Sequence, residues 1–289
     1  MENASAIIEQ VLTALPTVST SHKINSPIYK LFNDLMASHI RTLFSSKKPQ
    51  ARNFGPFGPL LFPYHEMGAI NSLHLFGLDE LIIFSFYWAN RKRYSKVLDI
   101  GANLGLHSLM MSRAGFEVHA YEPDSTHFKL LKENIVLNKE AKIHINNAAV
   151  SNRSGRAEFV RVLGNTTSSH LAGSKLAYGA LEKYEVDVVD IQSILKGVDL
   201  IKMDVEGHEK NLLLSLTPEQ YKKTDILVEI GSAENAKSVF NYLNKTEIHL
   251  FAQNKGWGKV TSLEEMPTSY RDGTLFISAK SPMPWPHEK

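Results

Sequence analysis

The chain has 289 residues, 43% hydrophobic and 21% charged, with 17 Gly and 12 Pro, which excludes disordered and fibrous classes and leaves enough apolar material for a sizeable core. Lys+Arg 32 against Asp+Glu 30 gives a formal charge of +2, without the basic excess used to bind a phosphate backbone, so nucleic acid is not an expected partner. With 0 Cys there is no disulfide framework, thiolate zinc site or cysteine nucleophile, and a cytoplasmic setting is expected.

Acidic Glu2 and the interrupting Glu9 do not fit a signal peptide. Apolar spacing predicts helices over residues 7–15 and 28–44, whereas the prolines within 53–59 force a loop. Two more helices follow over 69–76 and 78–92, with Gly77 as punctuation. The longest apolar run, 81–88, is far short of the ~20 residues a membrane span needs and reads as a buried helix. Residues 1–92 are thus expected to form a helical N-terminal extension or cap, and 93–289 a separate domain. The aromatic loop 54–64 and Trp257 are either sugar-stacking faces or plugs of the local core.

From residue 96 short apolar strands alternate with amphipathic helices: strands 97–100, 117–121 and 143–147, helices 104–113 and 126–138. That alternation predicts βαβ units and a parallel sheet. A polar excursion, 151–190, interrupts it with strand-like 157–162 and 185–189 around a flexible 164–170. Strands 200–204 and 226–230, a helix over 233–243 and terminal strands 247–252 and 274–279 complete the pattern.

Val97 to Gly105 reads as a strand, a glycine turn and the start of a helix, where Gly101 allows close approach and free N–H groups face a ligand. Its G-x-x-x-G spacing departs from the G-x-G-x-x-G of dinucleotide sites, which argues against a pyrophosphate cradle. The plain alternative is a strand-to-helix turn. Glu122, in Tyr121-Glu122-Pro123, ends the second strand, where an acid can accept ribose hydroxyls or merely cap a helix. In Lys202-Met203-Asp204-Val205-Glu206-Gly207-His208-Glu209, extended geometry past Asp204 aims Asp204 and Glu206 into one cleft, about 7 Å apart. The acids also suit the positive end of the following helix.

These runs, together with Asn147-Ala148-Ala149-Val150-Ser151 and Asp190 to Leu195, resemble the FkbM family of S-adenosylmethionine-dependent methyltransferases over roughly residues 78–279. The resemblance implies an α/β, Rossmann-like class I methyltransferase fold. Its sheet would have seven mostly parallel strands, one of them antiparallel, with helices on both faces and the helical extension added. It further implies O-methylation of a hydroxyl on a sugar, glycolipid or polyketide-type acceptor, whether a small molecule or a glycan or lipid-linked one. Asp99, Gly101, Asn103 and Gly105 would surround the methionine part of S-adenosyl-L-methionine, Glu122 its ribose hydroxyls, and Asn147 and Ala148 its adenine. Asp204 would stand near the transferred methyl.

Asp204, Glu206 and His208 form the expected catalytic set, with His170 and Glu229 as further candidates for the base. Asp204, Glu206 and Glu229 would also suit a hard cation such as Mg²⁺, although no ligand spacing demands a metal and no H-E-x-x-H occurs. Residues 163–183 and the N-terminal helices are expected to close over the acceptor. The rivals are a nicotinamide-dependent oxidoreductase, disfavoured by the glycine spacing, and a non-catalytic binding module on the same fold.

Overall fold

The computed structural model describes residues 2–24, 26–140 and 142–285. Helix α1 (Glu2–Ala14) is followed by α2 (Pro27–Phe44), whose Ser26 hydroxyl accepts from the Tyr29 N–H while Pro27 occupies the first turn. Strands β1 (Arg52–Asn53) and β2 (Pro59–Leu60) pair as a small ribbon across the proline loop. Only Ser72–Phe76 of the helix expected over 69–76 forms, as a single 3₁₀ turn capped by Asn71, and α3 (Leu78–Ala89) follows.

Next come β3 (Lys96–Ile100), α4 (Leu106–Arg113), β4 (Glu117–Tyr121), α5 (Ser125–Asn138) and β5 (Ile143–Asn146). The excursion holds β6 (Ala149–Ser151), β7 (Gly155–Val162), β8 (His170–Leu171) and β9 (Leu181–Asp190). The chain continues through α6 (Ile191–Ile194), β10 (Leu200–Met203), α7 (Glu209–Leu213), α8 (Pro218–Tyr221), β11 (Asp225–Glu229) and α9 (Ala233–Leu243). It closes with β12 (His249–Ala252), β13 (Gly258–Lys259) and β14 (Thr274–Ser278).

The main sheet has the order β13-β12-β14-β11-β10-β3-β4-β5. Strands β11, β10, β3, β4 and β5 run parallel; β14 opposes β11, and β12 opposes β14. The seven expected strands are therefore present, but the sheet has eight, because the turn after β12 brings the two-residue β13 back onto its edge. The excursion is a second difference: it forms its own four-stranded sheet, β6-β9-β7-β8.

Alternation along each strand separates two cores. Val97 and Leu200 face α3 and α4, whereas Leu98, Ile100, Ile201 and Met203 face the side packed by α7, α8 and α9. Helix α3 is apolar nearly all round because the N-terminal segment covers its outer side. Phe54 packs edge-on against Phe84 at 6.3 Å, Phe57 against Trp88 at 5.5 Å, and Phe44 stacks on Phe76 at 4.5 Å. Each such burial is worth about 1.5–3 kcal/mol, so the aromatic loop plugs the core. Trp257 does likewise, its indole N–H donating to His22 Nδ1 at 2.8 Å. One continuous core joins residues on both sides of position 92.

Candidate active site

The chain reverses strand order between β10 and β3, which is where an open α/β sheet leaves a crevice at its carboxyl edge. At the exit of β3, Gly101 has φ +79° and Asn103 φ +52°, and the Gly101 and Ala102 N–H groups both donate to the Tyr121 carbonyl at 3.0 Å. A Cβ on Gly101 would lie 1.8 Å from the carbonyl oxygen of Asp204. The glycine is required because the exit of β10 crosses directly over it. Gly105, at φ +83°, leaves room for Leu131, which would stand 3.0 Å from an added Cβ.

Glu122 is 6% exposed. Its Oε2 accepts from the Asn103 N–H at 2.7 Å and its Oε1 from the Asp124 N–H at 2.8 Å, so the acid ties the β3 turn to the β4 exit. Burial pushes its carboxyl up to about 8, reinforced by Asp124 and resisted by those two N–H groups. Between about 4.5 and 8 the folded chain thus keeps a proton that the unfolded chain releases, and stability falls as pH rises through that window. The slope contributed is at most ~1.4 kcal/mol per pH unit. Urea denaturation of wild type and Glu122→Gln across this window should give a steeper decline for wild type; parallel curves would show that Glu122 does not titrate there.

At the β10 exit, strand geometry stops at Met203, earlier than expected, and Glu206 takes φ +50°. Asp204 and Glu206 therefore do not follow one extended strand, but both still reach the crevice. Glu206 forms an ion pair with Lys175 of the β8–β9 loop, and Lys175 also donates to Ser168 Oγ at 3.3 Å. Burial and the neighbouring Asp204 push the Glu206 carboxyl up, while Lys175 pulls it down. A Cβ on Gly207 would lie 2.6 Å from the Ser174 carbonyl, so the same loop presses on this turn. His208 is enclosed, with Nε2 2.8 Å from Ser151 Oγ and Nδ1 within 3.2 Å of Ser174 Oγ and 3.1 Å of Asn211 Nδ2. Burial holds its pKa below the usual imidazole value.

Beneath the crevice, Lys202 and Asp99 are register partners on β10 and β3, facing the α3 side. Lys202 Nζ lies 3.9 Å from Asp99 Oδ1 and 3.7 Å from Asp204 Oδ2, and Asp99 Oδ2 accepts from Ser108 at 2.5 Å. Burial opposes the lysine's charge, yet Asp204, Asp99, Glu80 and Glu229 together hold its pKa above normal. Glu229 is itself pushed well up by burial and by Asp204 and Glu80.

The crevice contains about 600 Å³ of empty space, part of it open to solvent, with Gly101, Asn103, Glu122, Ala148, Asp204, Glu206 and His208 in its walls. Asp99, Gly105 and Asn147 do not line it: Asp99 lies below, Gly105 packs on Leu131, and Asn147 donates to the Glu122 carbonyl at 2.8 Å. The opposite wall comes from the second sheet and its loops, through Phe159, Leu171, Thr166 and His170, with His127 of α5 beside them. Among the described residues, none that lines it precedes Ile100. The N-terminal segment instead braces that wall from behind, where Ala69 N–H donates to Gly164 O at 2.7 Å and Thr166 N–H to Met67 O at 3.1 Å. Sequence reasoning passed over Lys202, although a lysine inside the apolar run Leu200 to Met203 was a visible anomaly. It also passed over Lys175, for which the sequence carries no signal.

Among the described residues, no helix is long and apolar enough to cross a membrane. No curated protein matches the chain. Among solved structures it is similar to WbdD, at 13% identity over 70% of this chain and 39% of that one, with TM-score 0.39. It thus spans well under half of WbdD's length. A SAM-dependent methyltransferase from Agrobacterium tumefaciens is similar at 10% identity over 80% of this chain and 69% of that one, TM-score 0.40. The N-terminal domain of human METTL16, in complex with SAH, is similar at 13% identity over 68% and 69%, TM-score 0.36. The family model described as the Methyltransferase FkbM domain matches residues 99–271, from Asp99 of β3 to Arg271 before β14, which is more than half of the chain. The chain belongs to the FkbM methyltransferase family.

Proposed function

We propose that the crevice binds S-adenosyl-L-methionine and transfers its methyl to a hydroxyl of a sugar, glycolipid or polyketide-type acceptor. The observation that carries this reading is Glu122, buried at the crevice wall with one backbone N–H on each oxygen, which leaves both oxygens able to pair with two ligand hydroxyls. Asn103 Oδ1, buried without a hydrogen-bond partner beside it, supplies a further acceptor that a ligand donor would satisfy. When bound, S-adenosylmethionine supplies an electrophilic methyl on a sulfonium. Asp204, in the wall, favours such a cation over the anionic pyrophosphate of a nicotinamide dinucleotide. Calorimetry with S-adenosylhomocysteine and with NADH separates the two readings, and binding of NADH alone would overturn ours.

The chain's own tasks are to align the acceptor hydroxyl and to take its proton. We assign proton removal to Asp204 or Glu206. A carboxylate pushed upward by burial is the better matched to work near neutrality, and Glu206 is such a group even beside Lys175. His208 has both ring nitrogens engaged, so its part is to hold the Ser174 segment. Asp204→Asn should lower kcat while leaving affinity for S-adenosylhomocysteine, which lacks the sulfonium charge, within about twofold. Full kcat in both Asp204→Asn and Glu206→Gln on a true acceptor would move the chemistry away from the β10 exit. EDTA added to wild type tests the Mg²⁺ alternative, since a metal-assisted transfer would stop and then recover on adding Mg²⁺.

A further inference from the structure

Away from the crevice, three side chains with metal-binding chemistry meet on the β4–β5 edge. Glu117 and His119 are two apart on β4 and project to the same face, while His119 sits directly opposite His144 in the parallel β4–β5 register. The two imidazoles lie 4.7 Å apart, tilted by 30°, and His119 Nε2 is 2.9 Å from Glu117 Oε1. One ligand atom from each of the three lies within 4.8 Å of the others, and among the described residues this is the one such group of His and carboxylates.

We propose that Glu117, His119 and His144 bind one divalent transition-metal ion of the zinc, nickel or copper class. Two imidazoles and a carboxylate form a mixed N/O donor set that these ions take, whereas Mg²⁺ and Ca²⁺ prefer oxygen alone. With bonds of about 2.0–2.2 Å in a tetrahedron, neighbouring ligand atoms stand about 3.4 Å apart, so rotations of roughly an ångström bring this set into place. On binding, His119 Nε2 exchanges its hydrogen bond to Glu117 for the metal and its proton rests on Nδ1. Glu117 and His144 are exposed and His119 half-buried, so water completes the coordination and the ion exchanges freely.

Lys96, the register partner of Glu117 on β3, and Lys142, beside Glu117 and His144 in one surface groove, oppose a second positive charge. Affinity is accordingly weaker than in closed four-ligand zinc sites. Because β5 ends the main sheet, the ion would tie its edge strand to β4. Glu117 and Glu122 are separated by roughly 17 Å of extended strand, so the site stands apart from the crevice.

The test is titration calorimetry of the full untagged chain, stripped with EDTA, against ZnCl₂ and separately MgCl₂, with thermal melts alongside. Wild type should bind one Zn²⁺ with a rise in melting temperature and should take no Mg²⁺ at this edge. The double variant H119N/H144N should bind Zn²⁺ at least about tenfold more weakly and lose the rise, while its metal-free circular dichroism matches wild type. If the double variant misfolds, His144→Gln, at an exposed position, carries the same comparison. Glu206→Gln should keep the zinc isotherm. No zinc binding by wild type, equal binding by the histidine variants, or binding lost only in Glu206→Gln would each overturn the proposal.

Discussion

Glu122→Ala is expected to weaken S-adenosylhomocysteine binding by about 10- to 100-fold, the range set by losing hydrogen bonds to two ligand hydroxyls that together are worth about 1.5–3 kcal/mol. The carboxyl group acts twice. It pairs with the ligand hydroxyls, and it fixes the approach by holding the Asn103 N–H at 2.7 Å and the Asp124 N–H at 2.8 Å. Stability should change less than affinity, because the substitution also removes a buried acid whose ionisation the fold disfavours. Calorimetry beside a denaturation curve reads both quantities. An unchanged dissociation constant in a folded variant would remove Glu122 from the cofactor site.

Gly101→Ala is expected to cost roughly 2–4 kcal/mol of stability and to abolish cofactor binding along with it. A single methyl is enough, since its carbon would overlap the Asp204 carbonyl oxygen at 1.8 Å and φ +79° disfavours any side chain. Gly197→Ala is the comparison: φ is +74° there but nothing lies within 4 Å, so only the conformational penalty of about 1 kcal/mol applies. Urea midpoints distinguish the two, and equal losses would mean that the close crossing of β3 and β10 is not what requires a glycine.

Elements whose pattern is enforced by burial were readable in the sequence. Helix α9 (Ala233–Leu243) falls where the sequence reading places it, with Ser232 capping its start, and β3, β4 and β11 lie within a residue or so of their apolar runs. The second sheet was not readable as a sheet. Strands β7 and β9 present Arg156, Glu158, Lys183 and Glu185 to solvent and bury a small cluster around Phe159, Val186 and Val188. Their partner lies across a long connection that local pattern does not encode.

The same division runs through the crevice. Gly101, Glu122, Asp204 and Glu206 sit in strand exits, where topology alone brings them together. Lys175 arrives on a loop, and Glu80 on α3, so their meetings with Glu206 and with the Lys202 cluster depend on tertiary packing. The seven-strand expectation missed only β13, whose two residues carry too little pattern to announce a strand.

The apolar contact between α3 and the N-terminal aromatics bears on how much of this chain is an autonomous folding unit. The family-matched stretch, 99–271, omits the first three residues of the central strand β3 and all of β14, which is hydrogen-bonded between β11 and β12. It also omits α3, whose Leu81, Ile82, Phe84 and Phe86 are fully buried between the sheet and the preceding residues. An expression fragment trimmed to the matched stretch would open the middle of the sheet, and one that kept α3 but dropped residues 1–76 would expose an unshielded greasy rod. Either piece should partition into aggregates where the intact chain stays dispersed, because the segment that marks kinship is smaller than the segment that cooperates in folding.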